Sequence, residues 1–223
     1  MIYVVSNIHG NHSKFKELLE KISFSDNDIM YVLGDIVDYG DETMEVVCDL
    51  SFRMNVYPVM GEHDAVAYKM LAGFDDMVKN GKTPDAEFIA EMQAWSADGG
   101  DKTLASFRSL DEDMKEGVLD YLADMMPYEI AEVGDDKYLL VHAGIANFEK
   151  GKDLDDYDPE DFYTEPLDMN KQYFGHTNVV VGHVPTASGK IVRNGKNIAI
   201  DCGVVNGGAL ACLCLDNGKE YYI

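Results

Sequence analysis

The sequence predicts an α/β protein in which two packed mixed β-sheets are flanked by helices. Over roughly the first 70 residues, short apolar strands alternate with amphipathic helices, which is typical of a parallel sheet covered on both faces. The C-terminal part instead contains strands that flank Asn194-Gly195 and Asn217-Gly218, which are signals for antiparallel hairpins. One domain, spanning residues 1–223, accommodates both halves if the two sheets pack together.

The elements of the first half follow from hydrophobic periodicity. Strands are predicted at 2–5, 29–33 and 56–60, each followed by a loop with glycine and then by a helix. The first helix has apolar side chains at helical spacing: Phe15, Leu18, Leu19 and Ile22. Ser13 stands where a helix-capping residue is expected. The second helix begins after Asp41 and should bury Met44, Val47 and Cys48.

The middle of the chain, from about 84 to 126, is predicted to form a helical insert. Its apolar positions have helical spacing, with breaks at Gly99-Gly100 and near Ser109-Leu110. A helical layer over the sheet is favoured over a separate binding module. The remaining strands are predicted at 137–142, 179–181, 191–192, 198–200, 209–215 and 221–223.

The composition excludes several classes of function. The chain has 41 acidic and 18 basic residues, a formal net charge of −23, and only three arginines. Binding to nucleic acid or to an anionic membrane needs clustered Lys and Arg, so we expect neither partner. No apolar run approaches the 18 or so residues of a membrane span, and the N-terminus lacks a basic leader. The four cysteines are predicted to be reduced core thiols of a cytoplasmic protein.

Five segments place metal-binding side chains directly after, or close to, apolar strands. These segments are residues 7–11, 34–40, 61–64, 141–144 and 181–183. Taken singly, each histidine is equally well interpreted as a buried polar residue, but all five segments together indicate a site at the carboxyl edge of a sheet. Imidazole, carboxylate and amide donors suit a pair of divalent ions such as Mn²⁺, Fe²⁺ or Zn²⁺. Such a pair supports displacement at phosphorus.

The order and spacing of these segments resemble the phosphoprotein phosphatase branch of the calcineurin-like metallophosphoesterases. Residues 7–10 match the family motif Asp-x-His-Gly, 34–40 match Gly-Asp-x-Val-Asp-Arg-Gly, and 61–64 match Gly-Asn-His-Glu. Residues 142–144 and 182–183 match His-Ala-Gly and Gly-His. The resemblance, which is strongest to short bacterial serine/threonine protein phosphatases, implies that family's fold and the hydrolysis of phosphoric esters.

The resemblance also implies a role for each matching residue. Its metal ligands would be Asn7, His9, Asp35, Glu62, His142 and His183. They would hold two divalent metal ions, Mn²⁺ foremost and Fe or Zn as alternatives, with Asp35 bridging between them. His63 would be the general acid that protonates the leaving oxygen, and Asp38 would orient it.

The sequence departs from the family pattern in its charges. Asn7 replaces an aspartate of the first metal, and Glu62 replaces an asparagine of the second. Tyr39 replaces the arginine that would grip the phosphate, and a later arginine of the pattern falls at or near Pro166. Arginine clamps are worth roughly 10³–10⁵ in rate in some phosphoryl-transfer enzymes, so we expect a lopsided metal pair, weak turnover and only a minor substrate contact from Tyr39.

Three functions follow from this sequence. The first is a metal-dependent phosphoric-ester hydrolase that acts on a phosphorylated protein or small molecule. The second is a weak or inactive phosphatase scaffold that serves as a binding or regulatory protein, because several motif residues have changed together. The third is a dinucleoside polyphosphate hydrolase, since the third motif ends in Asp64, as in the related symmetrical tetraphosphatases.

Overall fold

A computed structural model describes all 223 residues, and it contains two five-stranded mixed β-sheets with helices outside them. The strands are β1 (Ile2–Val5), β2 (Ile29–Leu33), β3 (Val56–Val59), β4 (Tyr128–Val133), β5 (Asp136–Val141), β6 (Thr177–Val181), β7 (Val192–Asn194), β8 (Asn197–Ala199), β9 (Ala211–Cys214) and β10 (Glu220–Tyr222). The helices are α1 (His12–Ile22), α2 (Thr43–Ser51), α3 (Glu62–Asn80), α4 (Ala86–Trp95), α5 (Asp101–Arg108) and α6 (Glu112–Ala123).

The sheet topology confirms the predicted combination of parallel and antiparallel strands. The first sheet has the order β10-β9-β1-β2-β3, in which β1, β2 and β3 are parallel, β9 is antiparallel to β1, and β10 is antiparallel to β9. The second has the order β4-β5-β6-β8-β7, with a parallel centre and antiparallel edges. The β7–β8 hairpin turns at Gly195 and Lys196, one residue later than the sequence signal indicates.

The two sheets pack face to face through alternate side chains of their central strands. Val4 and Leu33 of the first sheet share an apolar cluster with Leu140 and Val180 of the second. The intervening residues of the first sheet face the helices instead and belong to a second, larger cluster. Strands that are buried on both faces have continuous apolar sequences, so their positions can be predicted from the sequence.

Three local details differ from the sequence prediction. Ser13 lies inside the first turn of α1 rather than at its cap, and both its N–H and its hydroxyl donate to Glu42. Cys48 is only half-buried, because the buried face of α2 is centred on Val47. Strand β4 is absent from the sequence prediction, because Glu129 and Glu132 interrupt the apolar pattern of this edge strand.

The helical insert shares a core with the first sheet. It consists of α4, a π-helical turn over 96–100, α5 and α6, with the predicted breaks at 99–100 and after Arg108. Trp95, Phe107, Val118 and Leu122 belong to the same apolar cluster as the helix-facing side of the sheet. No helix of the chain combines the length and apolar character needed to cross a membrane. All four cysteines are free thiols.

Replacement of Phe107 by alanine tests the prediction of one domain. Phe107 is completely buried between the insert and the rest of the cluster, so the cavity should lower the free energy of unfolding by about 3–5 kcal/mol. Urea unfolding, followed by circular dichroism and by Trp95 fluorescence, should show one transition shifted as a whole. Phe52→Ala is the control, because Phe52 is 86% exposed. Two separate transitions, of which only one shifts, would contradict a single domain.

Candidate functional site

The predicted site residues lie where the backbone is strained. Eight residues other than glycine have positive φ angles, and six of them belong to the predicted site: Asn7, His9, Asp35, Asp38, Tyr39 and His183. Each such residue costs about 1–3 kcal/mol, and the surrounding structure must offset that cost. Strain concentrated at the carboxyl ends of β1, β2 and β6 marks this edge of the two sheets as a functional site.

Asp64 fixes the loop after β2 to the start of α3. Its buried carboxylate accepts four backbone N–H groups: those of Asp35 at 2.7 Å, Ile36 at 2.9 Å, Gly61 at 3.0 Å and Val37 at 3.3 Å. Burial and the nearby charge of Asp35 raise the pKa of Asp64, while these hydrogen bonds act in the opposite direction. The sequence offers Asp64 only as a motif match, and the structure shows that it shapes the Asp35 loop.

Asp35, His142 and His183 form a compact group of potential metal ligands. One ligand atom from each lies within 4.8 Å of the other two. His142 Nδ1 donates to the carbonyl of Leu33 at 2.8 Å, which turns Nε2 towards Asp35 Oδ2 at 3.3 Å and His183 Nδ1 at 3.1 Å. Two imidazole nitrogens beside one buried carboxylate suit a borderline divalent cation, with a backbone carbonyl orienting one ring.

The charges in this group are coupled. Burial opposes ionisation of Asp35, but the neighbouring His142 and His9 rings lower the pKa of this carboxyl well below its usual range. Burial lowers the pKa of His142, and the charge and hydrogen bond of Asp35 outweigh that effect and raise it. Burial and the charge of His142 lower the pKa of His183 to about 4. His183 is therefore neutral and able to ligate at physiological pH.

Asn7 and His9 also contact the buried carboxylate of Asp35. His9 Nδ1 donates to the carbonyl of Val37 at 2.8 Å, and His9 Nε2 lies 3.5 Å from Asp35 Oδ2. The amide nitrogen of Asn7 donates to the same Asp35 oxygen at 3.0 Å. The amide oxygen of Asn7 accepts the backbone N–H of His183 at 2.9 Å. The structure therefore brings the predicted ligands of the first metal together, but Asn7 presents a nitrogen to them.

Glu62 is placed differently from the other predicted metal ligands. It is the first residue of α3, and it is exposed rather than part of the buried group around Asp35. With His63, Trp95 and Asp98, it lines a cavity of about 350 Å³ between α3 and the helical insert. The sequence motif locates Glu62 beside the site but does not determine the direction of its side chain.

His63 and Asp38 form the predicted pair, and the helical insert holds that pair in place. His63 Nδ1 donates to Asp38 Oδ2 at 2.8 Å, and Asp38 is completely buried. Trp95 Nε1 donates to the same oxygen at 2.9 Å, and the Thr103 hydroxyl donates to Asp38 Oδ1 at 2.5 Å. Burial lowers the pKa of His63, but the hydrogen bond to Asp38 and the charges of Asp35 and Asp38 raise it to about 9.

Trp95 and Thr103 contribute hydrogen bonds to the site, but the sequence does not identify them as site residues. They lie 57 and 65 residues away from Asp38 along the chain, and neither stands in a motif. Thr103 is completely buried, and Trp95 is 4% exposed. The one available signal is chemical, because a buried indole N–H or hydroxyl needs a polar partner.

Tyr39 lies at the site, and its hydroxyl is already bonded. The hydroxyl donates to Asp98 of the insert at 2.5 Å, and the backbone N–H donates to the carbonyl of Gly99 at 3.1 Å. Its ring centroid lies 5.1 Å from those of His9 and His63. Burial and the bond to Asp98 raise the pKa of Tyr39. Tyr39 therefore adds no positive charge where the family motif has arginine.

The arginines of the chain are engaged elsewhere. Arg53 pairs with Asp49, Arg193 pairs with Glu220, and Arg108 stacks over Phe74. The basic side chain in the cavity beside His63 is Lys69, which pairs with Glu91 at 2.6 Å.

The position predicted to have lost the second family arginine lies on the other side of the site. Pro166 lines a mainly apolar cavity of about 520 Å³ that also borders Gly182, the neighbour of His183. None of the three arginines therefore places its positive charge at the candidate site.

Two mixed sheets with histidines and carboxylates at one edge form the metallophosphoesterase architecture. The family model of the calcineurin-like phosphoesterases matches residues 1–214, and the chain belongs to this family. This finding confirms the resemblance found in the motifs. The family uses divalent metals, and the buried Asp35, His142 and His183 supply a suitable donor set.

The individual proteins that this chain resembles differ in the activities that their names give. A symmetrical bis(5'-nucleosyl)-tetraphosphatase from Buchnera aphidicola is 40% identical over 79 residues, which are 34% of this chain and 29% of that protein. The asymmetrical bis(5'-nucleosyl)-tetraphosphatase PrpE of Geobacillus thermodenitrificans is 25% identical over 95% of this chain and 89% of its own. A protein serine/threonine phosphatase structure from Saccharomyces cerevisiae has a TM-score of 0.62 and 14% identity, covering 100% of this chain and 78% of that one. The first relative is thus matched over less than a third of its length.

Replacement of Asp64 by asparagine tests whether its carboxylate organises the site. An amide has one acceptor oxygen and would direct N–H groups at the backbone donors, so we expect a loss of about 2–3 kcal/mol in the free energy of unfolding at neutral pH. Denaturant unfolding measures the loss. Asp75→Asn is the matched control, because Asp75 is buried in the same helix but pairs only with the surface Lys79, and its loss should stay below about 1 kcal/mol. Equal losses would contradict the special role of Asp64.

Proposed function

We propose that this protein is a metal-dependent hydrolase of phosphoric monoesters. The observation that carries the proposal is the proximity of a proton donor to a candidate metal group. His63 is held by the buried Asp38, and its backbone N–H donates to Asp35 Oδ1 at 3.1 Å. The other oxygen of Asp35 faces His142. A phosphoryl group at the metal group would therefore have its leaving oxygen near His63.

Each residue of the site has a chemical task in this proposal. A bound divalent cation, Mn²⁺ foremost, would supply Lewis acidity that neutralises charge on the phosphoryl group. Asp35, His142 and His183 would hold it, and Glu62 is a further ligand if its side chain turns inward. Nε2 of His63 has no partner within the protein and would donate its proton to the leaving oxygen, while Asp38 fixes the ring.

The charges beside His63 favour one substrate class. The cavity that would receive the leaving group is lined by Glu62, Glu91 and Asp98, and its Lys69 is already paired. An acidic cavity repels the polyphosphate chain of a dinucleoside polyphosphate. The leaving group of a serine or threonine phosphomonoester is a neutral alcohol after protonation, so the cavity does not repel it. A phosphoprotein is therefore our first candidate substrate. The names of two relatives make a dinucleoside tetraphosphate the second candidate.

A binding or regulatory role remains the alternative from a different class. Its support is the absence of an arginine clamp, together with the bond between Tyr39 and Asp98 that keeps the tyrosine hydroxyl from a substrate. A substrate would then be bound by the metal group without efficient turnover. Activity measurements separate this alternative from the hydrolase.

Turnover of p-nitrophenyl phosphate during a Mn²⁺ titration tests the hydrolase. We expect Mn²⁺-dependent release of p-nitrophenolate, abolished by a chelator. His63→Ala should reduce kcat by about 10²–10⁴-fold with phenyl phosphate, because the poorer leaving group needs the proton. His176→Ala is the control, since His176 is exposed and lies outside the site. Absence of Mn²⁺-dependent turnover, or equal activity of the two variants with phenyl phosphate, would refute the proposal. Diadenosine tetraphosphate and a phosphoserine peptide, assayed alongside, rank the substrate candidates by kcat/KM.

Trp95→Phe and Thr103→Val test whether the insert positions the proton donor. Trp95→Phe removes the hydrogen bond from the indole to Asp38, and Thr103→Val removes both hydrogen bonds between the Thr103 hydroxyl and Asp38. We expect kcat for phenyl phosphate to fall about tenfold and kcat for p-nitrophenyl phosphate to change by less than about threefold, because only the poorer leaving group depends strongly on general acid catalysis. A merely structural role would lower both rates equally, and that result would contradict the assignment.

A further inference from the structure

The orientation of the Asn7 amide is determined by its surroundings. The backbone N–H of His183 lies 2.9 Å from one terminal atom of Asn7, and a donor must face an acceptor, so that atom is the amide oxygen. The amide nitrogen consequently points at Asp35 Oδ2, 3.0 Å away, and at His9 Nε2, 3.3 Å away. Both of these atoms are acceptors, because the carbonyl of Val37 holds the ring proton of His9 on Nδ1.

The two N–H bonds of this amide are directed at two ligand atoms of the first metal position. An amide nitrogen has no free lone pair, so it cannot bind a cation, and its hydrogens carry partial positive charge. It thus provides Asp35 and His9 with the kind of partner that a cation would provide. An aspartate at this position has a second acceptor oxygen, which would leave one oxygen for the His183 N–H and one for a cation.

Rotation of the amide does not restore a ligand at low cost. Turning the oxygen of Asn7 towards the first metal position would set its NH₂ group against the N–H of His183, and two donors would face each other in a site where Asn7 is 4% exposed. A buried donor without an acceptor is unfavourable, so the surroundings hold the amide in the observed orientation. Gly182 packs closely against this amide, since a Cβ at that position would lie only 2.5 Å from the Asn7 oxygen.

We propose that this protein binds one divalent cation, at Asp35, His142 and His183, and that the amide of Asn7 replaces the other cation of the family's metal pair. This inference rests on the proposed metal binding of the site. It revises the pair of ions that the motifs predict, because the expected first position lacks an oxygen ligand from Asn7. The remaining group keeps its carboxylate and both imidazoles intact.

Metal stoichiometry of the whole chain tests the inference without an activity assay. The protein is stripped with a chelator, reloaded with excess Mn²⁺, passed through gel filtration and analysed for manganese by mass spectrometry, with electron paramagnetic resonance on the same samples. We expect one Mn²⁺ per chain with the spectrum of an isolated ion. Asn7→Asp should bind two ions and give the exchange-coupled spectrum of a pair, a twofold rise in stoichiometry.

Matched variants separate this inference from the proposed function. Asn217→Asp adds the same charge at an exposed turn and should still bind one ion, whereas His142→Ala should bind none. Two coupled ions in the wild-type protein, or one ion in a folded Asn7→Asp variant, would overturn the single-cation inference and leave the hydrolase proposal standing. Failure of the wild-type protein to bind any Mn²⁺ would overturn both. The wild-type measurement decides by itself if Asn7→Asp does not fold.

Discussion

The site depends on the buried carboxylate of Asp64, which gathers backbone N–H groups from two separate segments. Those N–H groups belong to the loop after β2 and to the residue before α3. By satisfying donors that would otherwise be buried without partners, Asp64 allows the loop to keep its strained conformation. The side chains of Asp35 and Asp38 extend from this loop into the site, and the side chain of His63 extends into it from the first turn of α3. Four hydrogen bonds to one carboxylate therefore help to set the geometry between the candidate metal group and His63.

Much of the fold was predictable because its strands are buried on both faces. The apolar runs from Ile2 to Val5 and from Ile29 to Leu33 have no other favourable environment, so their positions follow from composition alone. The edge strand β4 contains Glu129 and Glu132 within six residues and pairs on one side only, so its formation depends on its neighbour β5. Local sequence predicts central strands better than edges for this reason.

The residue types of the site were predictable, whereas their directions were not. The positions of Asp35, His142 and His183 at strand ends predict that they meet, because parallel strands end at a common edge. The exposure of Glu62 and the inward amide nitrogen of Asn7 depend on hydrogen bonds between segments far apart in the chain. Trp95 and Thr103 are a stronger case, since nothing around residue 38 indicates partners 57 and 65 residues later in the chain.

The hydrogen bonds from Trp95 and Thr103 to Asp38 have an evolutionary consequence. Inserts between the core strands of a fold are commonly regarded as modules that can be exchanged between relatives. Here the insert supplies two of the donors that satisfy a completely buried carboxylate of the central scaffold. A chimera that received another insert would bury that charge with fewer partners, even if both parental proteins fold well. A change in the insert at Trp95 or Thr103 therefore calls for a compensating change around Asp38 in the scaffold.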